Sequence, residues 1–273
     1  MDRPYAEVIG DPIAHSKSPL IHRFWLAALG IDADYLPVRV DTDRLATYFT
    51  ERRSDPDWRG CNVTLPHKIA AAALVDMEQS GIGAINCVRP EAGALIGSNS
   101  DIEGILAALP PSLMPPGSEV CLIGTGGAAR AALAAMKRRG VGFALISARN
   151  ADAGRALLDA FGLAGAARPL DDRGNIAAAD VIINATSLGL AGGDPMPEAL
   201  LRHLRDAKED MVVFDMVYAP LETDLLGRAR AERLRTVDGL EMLIGQAAAA
   251  FELFFGVAPP RGRDSELRAI LTK

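Results

Sequence analysis

The chain has 273 residues, 49% hydrophobic and 23% charged, which suits a globular protein able to bury one large core or two medium ones. A formal net charge of −6 and a pI near 5.3 argue against non-specific nucleic-acid binding. There is no run of about 18 uncharged apolar residues to span a membrane, and the opening MDRPYAEVIGDP lacks a signal peptide's apolar stretch, so a cytoplasmic protein is expected.

In chain order, apolar runs of strand length alternate with helix-period segments. AEVIG leads to SPLIHRFWLAALG, ADYLPVRV to DRLATYFTERR, and GCNVTL to HKIAAAALVDM. This alternation predicts a parallel sheet covered by helices. Ser18 and Pro19 form a natural N-cap and first helical residue for the first helix, which leaves Ser16 and Lys17 without a structural reason. Hydroxyls at a helix start also suit a small carboxylate.

Lys68 stands on the first turn of the alanine-rich segment, where a cation opposes the helix dipole. It is either a solvated charge or a group with chemistry to do. The strand period puts Asn62 and Thr64 on one face just before it. AINCVR and ALIGSN then read as a hairpin around PEAG, with Asn86 on its first strand. Asp101 is placed to cap the helix that follows. Taken singly, these polar residues are caps or solvated side chains. Together they lie at strand ends, where open α/β sheets bind ligands. A lysine beside an aspartate can exchange a proton with a carbonyl or alcohol oxygen.

The proline-rich LPPSLMPPGSE, residues 109–119, is the best linker candidate. EVCLIG follows, then a turn in which Gly124, Gly126 and Ala129 give G-x-G-x-x-A between a strand and a helix. That context is the dinucleotide-binding one: a tight turn, close approach of a pyrophosphate, and a helix N-terminus facing the phosphates. The next strand, FALIS, ends in Ser147, Ala148, Arg149 and Asn150, with no acid before Asp152. Arg149 can pair with a 2′-phosphate, so NADP is favoured and NAD remains possible. ADVIINAT and MVVFDMVY are further strands, and from Gly239 the chain turns helical. Cys61, Cys87 and Cys121 are read as reduced structural thiols, and the four histidines form no metal-ligand pattern, so no metal is expected.

With these residues in view, the chain resembles the shikimate dehydrogenase family over nearly its whole length. The motifs, in family order, are GDPIAHSKSP, NVTLPHK, GAIN, SNSD, GTGGAAR, NATSLGL, DMVYAPLETDLL and DGLEMLIGQA. The resemblance implies NADP-linked interconversion of 3-dehydroshikimate and shikimate. Lys68 and Asp101 would be the acid–base pair. Ser16, Ser18 and Tyr218 would hold the substrate carboxylate, and Thr64, Asn86, Asp101 and Gln246 its hydroxyls. The cofactor would run along Gly124, Thr125, Gly126, Gly127 and Ala128, with Ser147 and Arg149 beyond and Met216 and Gly239 near the nicotinamide.

The implied fold is α/β in two domains. Residues 1–103 form a mainly parallel substrate domain, 104–237 a Rossmann domain, and the helices of 238–273 pack back on the first. The expected partner is a small molecule, and the chain is a monomer or homodimer. Ile102 stands where the family commonly has glycine, Cys87 and Ser100 where it has threonines, and Ala153 where it has a second cofactor arginine. These departures leave open a paralogue acting on quinate or a related cyclic hydroxy acid. A ligand sensor without turnover is the alternative of another class.

Overall fold

The structure, a computed structural model, describes residues 3–170 and 176–273. It divides into two compact units, Met1–Asp101 with Ile244–Lys273, and Ile102–Leu243.

The first unit is built on a six-stranded sheet of order β2-β1-β3-β5-β6-β4, from β1 (Tyr5–Gly10), β2 (Asp34–Arg39), β3 (Trp58–Val63), β4 (Met77–Glu78), β5 (Cys87–Glu91) and β6 (Ala94–Ser98). β1 runs parallel to β2 and β3, while β5 is antiparallel to both β3 and β6. The expected hairpin is present. Its two-residue turn at Ala92 and Gly93 has φ of 49° and 84°, the doubly positive geometry that matches the twist of paired strands.

The alternating side chains of β1 serve two faces. Tyr5 and Ile9 join Leu45, Tyr48, Phe49 and Trp58 on one side. Ala6 and Val8 meet Ala250 and Phe254 of the helix α9 (Gly239–Phe255) on the other. Buried Phe254 contributes roughly 2–3 kcal/mol of apolar transfer, so the C-terminal helix is part of this unit's core. Glu7 is a charge on the first face, 1% exposed, held by Nε and Nη2 of the Arg52 guanidinium at 2.8 and 2.9 Å and by the Tyr48 hydroxyl at 2.5 Å.

The second unit carries an all-parallel sheet of order β12-β11-β10-β7-β8-β9, from β7 (Glu119–Ile123), β8 (Phe143–Ala148), β9 (Gly165–Pro169), β10 (Val181–Asn184), β11 (Val212–Asp215) and β12 (Arg235–Val237). Taken from its first strand this is the 3-2-1-4-5-6 order of doubly wound dinucleotide folds.

Two sequence expectations are corrected here. The stretch 109–119 is not a linker but a folded part of the second unit. Leu109 and Met114 are fully buried, the Gly117 N–H donates to Gly140 O at 2.7 Å, and the Arg139 guanidinium donates to Leu109 O at 2.9 Å. Its prolines and glycine shape turns, and two apolar anchors tie those turns down. The alanine-rich helix, expected over 67–77, is only the five residues of α3 (Lys68–Ala72). Beyond it Met77 and Glu78 pair with Ile96 and Gly97, and the Asp76 carboxylate accepts the Leu95 N–H at 2.7 Å. Sheet pairing overrides alanine's helix propensity there. Among the described residues, no helix is long and apolar enough to cross a membrane.

Candidate active site

In the first unit, the polar residues predicted at strand ends converge. Lys68 opens α3 four residues past the Thr64 position, and the turn between is pinned by His67, whose buried Nε2–H donates to Val40 O at 2.6 Å. The Lys68 ammonium donates to Asp101 Oδ2 at 2.5 Å, with side chains only 16% and 5% exposed. This resolves the oddity of a cation on a helix's first turn, since its counter-charge is a buried carboxylate. Asp101 Oδ1 accepts from Asn86 Nδ2 at 2.8 Å. Asn86 Oδ1 in turn accepts the Ser100 N–H at 2.7 Å, which fixes which end of the amide faces Asp101.

Asp101 itself begins α4 (Asp101–Ala108), and the expected cap role falls instead to Asn99, whose Oδ1 accepts the Asp101 N–H at 3.0 Å. The Asp101 carboxylate is thereby left for Lys68 and Asn86. Ile102, in the glycine position, is 2% exposed and helical, so a side chain is accommodated without left-handed backbone.

Gln246, on α9, reaches the same cluster, with its Oε1 3.4 Å from Asn86 Nδ2 and 3.3 Å from the Ser100 hydroxyl. Cys87 Sγ lies 3.3 Å from that hydroxyl and 3.2 Å from Asn62 Nδ2. Burial pushes the Cys87 thiol up to about 12, so it stays protonated. Asn62 is wholly engaged within the protein, accepting the Tyr35 hydroxyl at 2.5 Å and donating to Asn86 O at 3.0 Å. Thr64 is half-buried beside Gly10, where a Cβ would come within 2.5 Å of the threonine methyl. Sequence reasoning gave Ser100 no role. The available signal was a hydroxyl placed one residue before a carboxylate at a strand end.

The serine loop differs in detail from expectation. Ser18 is the first residue of α1 (Ser18–Leu29) and caps nothing, since Lys17 holds the cap position. The Ser16 hydroxyl accepts the Ser18 N–H at 3.3 Å, a short-range turn that performs the capping. Lys17 reaches away and donates to the Leu271 carbonyl at the end of α10 (Asp264–Leu271).

In the second unit, the two glycines of the turn after β7 have different causes. Gly124 sits at φ +113°, and a Cβ there would meet Thr186 Cγ2 at 2.7 Å, so the fold itself demands glycine. Gly126 has an ordinary φ of −79°, and a Cβ there would meet nothing within 4 Å. The chain itself would tolerate a side chain there, and the glycine leaves room for an outside group to approach the backbone. It stands at the N-cap of the 13-residue α5 (Gly127–Arg139), where, having no side chain, it caps none of the first N–H groups itself. Ala129, fully buried, lets that helix lie against the strand. This donor set fits a pyrophosphate.

Ser147 is buried at the end of β8, while Arg149 is exposed, makes no ion pair among the described residues, and borders a cavity of about 280 Å³ lined with Pro169, Leu170 and Pro197. An arginine beside an apolar recess fits the phosphate and base of an adenosine 2′-phosphate. Asn150 is a cap, its Oδ1 accepting the Ala153 N–H at 3.2 Å.

Met216 and Tyr218 follow β11, and the segment is anchored by Asp215, fully buried, which accepts from Thr223 at 2.6 Å, Asn184 at 2.8 Å and the Val217 N–H at 3.0 Å. Burial raises the Asp215 carboxyl, and the hydrogen bonds offset only part of that rise. Gly239 lies directly against this segment. A Cβ there would be 2.6 Å from the Met216 carbonyl carbon and 2.7 Å from Val217 O, so the two residues predicted near the nicotinamide are neighbours.

Known proteins resemble this chain in sequence and in fold. Residues 8–88 match the family model of the shikimate dehydrogenase substrate binding domain, and residues 239–263 that of the shikimate 5'-dehydrogenase C-terminal domain. A curated relative, the shikimate dehydrogenase (NADP(+)) of Sphingopyxis alaskensis, is 51% identical over 98% of this chain and 97% of its own. The chain belongs to the shikimate dehydrogenase family. Among solved members, the shikimate 5-dehydrogenase of Thermus thermophilus, in complex with NADP(H) and shikimate, is similar with a TM-score of 0.84 and 34% identity, covering 97% of this chain and 99% of that one. A 5-ketofructose reductase of Gluconobacter sp. strain CHM43 is as similar in fold, TM-score 0.84, at 28% identity over 99% of both chains. Proteins of this fold therefore bear the names of different enzymes, and the fold alone does not fix the substrate.

Proposed function

We propose that the chain is a cytoplasmic NADP-dependent oxidoreductase that interconverts 3-dehydroshikimate and shikimate. The observation that carries this reading is the buried Lys68–Asp101 pair, 2.5 Å apart, in a chain 51% identical to an NADP(+) shikimate dehydrogenase. NADP, when bound, supplies the hydride or its acceptor. Substrate binding is assigned to residues 1–103 with 238–273 and cofactor binding to 104–237, an assignment supported by the separate sheets of the two units.

Lys68 and Asp101 act at the oxygen of the reacting carbon. In the oxidative direction the alcohol loses its hydroxyl proton to the pair as its carbon gives up hydride. In reduction the pair returns the proton to the forming alkoxide. Asn86 holds Asp101 in register and, with Thr64 and Gln246, binds ring hydroxyls. Ser16 and Ser18, at the start of α1, bind the carboxylate, to which the family pattern also assigns Tyr218. Phosphates are held by the backbone from Gly124 through Thr125, Gly126 and Gly127 to Ala128, with Ser147 and Arg149 toward the 2′-phosphate and Met216 with Gly239 toward the nicotinamide.

The test is NADP reduction followed optically with shikimate, then with quinate, and each again with NAD. Turnover with shikimate and NADP well above the other pairs is the expected result. Greater turnover with quinate or another hydroxy acid would support a substrate-shifted paralogue, a reading favoured by the breadth of the fold and by Cys87 beside Asn86. Binding without turnover would support a sensor, against which the intact Lys68–Asp101 pair speaks.

A further inference from the structure

We propose that Ser100 is a positioning residue that sets the orientation of the Gln246 carboxamide and so makes Gln246 a hydrogen-bond donor to the substrate. The inference rests on the substrate reading above.

The hydroxyl of Ser100 is 3.3 Å from two possible acceptors, Asn86 Oδ1 and Gln246 Oε1, and has one proton to give. Asn86 Oδ1 already takes the Ser100 backbone N–H at 2.7 Å, and the same amide's Nδ2 donates to the Ser100 hydroxyl at 3.0 Å. Asn86 Nδ2 also lies 3.4 Å from Gln246 Oε1, but its two protons go to the nearer Asp101 Oδ1 at 2.8 Å and Ser100 hydroxyl at 3.0 Å, so the hydroxyl's own proton is the one left for Gln246. Cys87, whose thiol is 3.3 Å away, donates into the hydroxyl from the other side and strengthens it as a donor. The chain Cys87, Ser100, Gln246 then runs in one direction. It ends with the Gln246 oxygen held inward and its NH₂ turned away from the Asn86–Ser100 pair. Ser100 is 7% exposed and Cys87 fully buried, so water does not substitute readily for either.

The Ser100 N–H that fixes Asn86, and through it Asp101, belongs to the backbone and survives side-chain truncation. The two roles therefore separate. Ser100→Ala is expected to raise the KM for shikimate about tenfold, the effect of one neutral hydrogen bond, with kcat and the pH profile retained. Ser100→Thr is expected to restore the KM. In a double-mutant cycle, Ser100→Ala with Gln246→Ala is expected to be no worse than Gln246→Ala alone. Additive losses, a fall in kcat rather than a rise in KM, or failure of threonine to rescue would each overturn the proposal. Absence of turnover by the unmodified protein would refute the substrate reading instead. In that case, nitrogen relaxation of the Gln246 side-chain amide in the ligand-free protein decides: equally rigid in the unmodified protein and in Ser100→Thr, and more mobile than either in Ser100→Ala. Equal mobility in all three overturns the proposal.

Discussion

Replacing Lys68 by methionine keeps an unbranched apolar stem of similar length and removes only the ammonium. Asp101, 4% exposed, then loses the donor at 2.5 Å and keeps Asn86 at 2.8 Å. Two consequences differ in size. A buried acceptor left short of one partner costs about 1–3 kcal/mol, so a modest fall in the urea midpoint is expected. A proton partner lost at the reacting oxygen costs roughly 10²–10⁴ in rate, or about 3–5 kcal/mol in the barrier. The assay is steady-state NADP reduction with shikimate, with NADP affinity measured separately by fluorescence. kcat is expected to fall by about that factor while NADP affinity stays at its original value. Because the two groups act as a unit, Lys68→Met combined with Asp101→Asn is expected to be little worse than either alone. A Lys68→Met protein with kcat within about tenfold of the original would refute the role given to the pair.

Arg149→Gln is expected to raise the KM for NADP roughly 10- to 100-fold, the worth of a charge-assisted phosphate contact, and to leave the KM for NAD unchanged; equal effects on both cofactors would remove Arg149 from the 2′-phosphate. Gly239→Ala drives a methyl into the backbone of Met216 and Val217. It is expected to cost about 1–3 kcal/mol by overpacking and to weaken NADP binding, and unchanged unfolding and affinity would count against it. His22 is fully buried, stacked on Tyr35 at 3.8 Å, with neither ring nitrogen hydrogen-bonded, and burial lowers it from 6.5 to about 3. The unfolded chain takes up a proton below its ordinary value while the native ring does not. Stability is therefore full above about pH 6.5 and declines as pH falls toward 3, by about 2 kcal/mol at pH 5. Urea unfolding of His22→Phe is expected to lack that part of the acid-side decline, and an identical pH dependence would contradict it.

The sequence carried the alternation of elements, the hairpin and the strand–turn–helix at Gly124 through local period and short motifs, whereas it brought Lys68, Asn86, Asp101 and Gln246 together only through the family resemblance. It misjudged features settled by distant partners. The alanines after Lys68 are strong helix formers, yet Met77 and Glu78 pair with β6. Asp101 looked like a cap because aspartate usually is one there, but Asn99, two residues earlier, does that work and leaves the carboxylate to the lysine. Ser18 yields to Ser16 in the same way. The proline-rich stretch has a linker's composition, but buried Leu109 and Met114 outweigh it. Ser100 was invisible as a functional residue, because its value lies in the direction of a hydrogen-bond chain and not in its own chemistry.

The first unit is discontinuous in the chain: its sheet is complete by Ser98, but Ala250 and Phe254, which cover one face, and Gln246 come from the far end. During synthesis the intervening unit, continuous from Ile102 to Leu243, leaves the ribosome whole while the earlier sheet still shows an uncovered apolar face. The second unit can therefore mature first, and the unit bearing Lys68 must wait for residues 244–273. A stop codon just before residue 244 would yield a chain with Lys68 and Asp101 encoded, their unit's core open, and a surface ready for chaperones or aggregation.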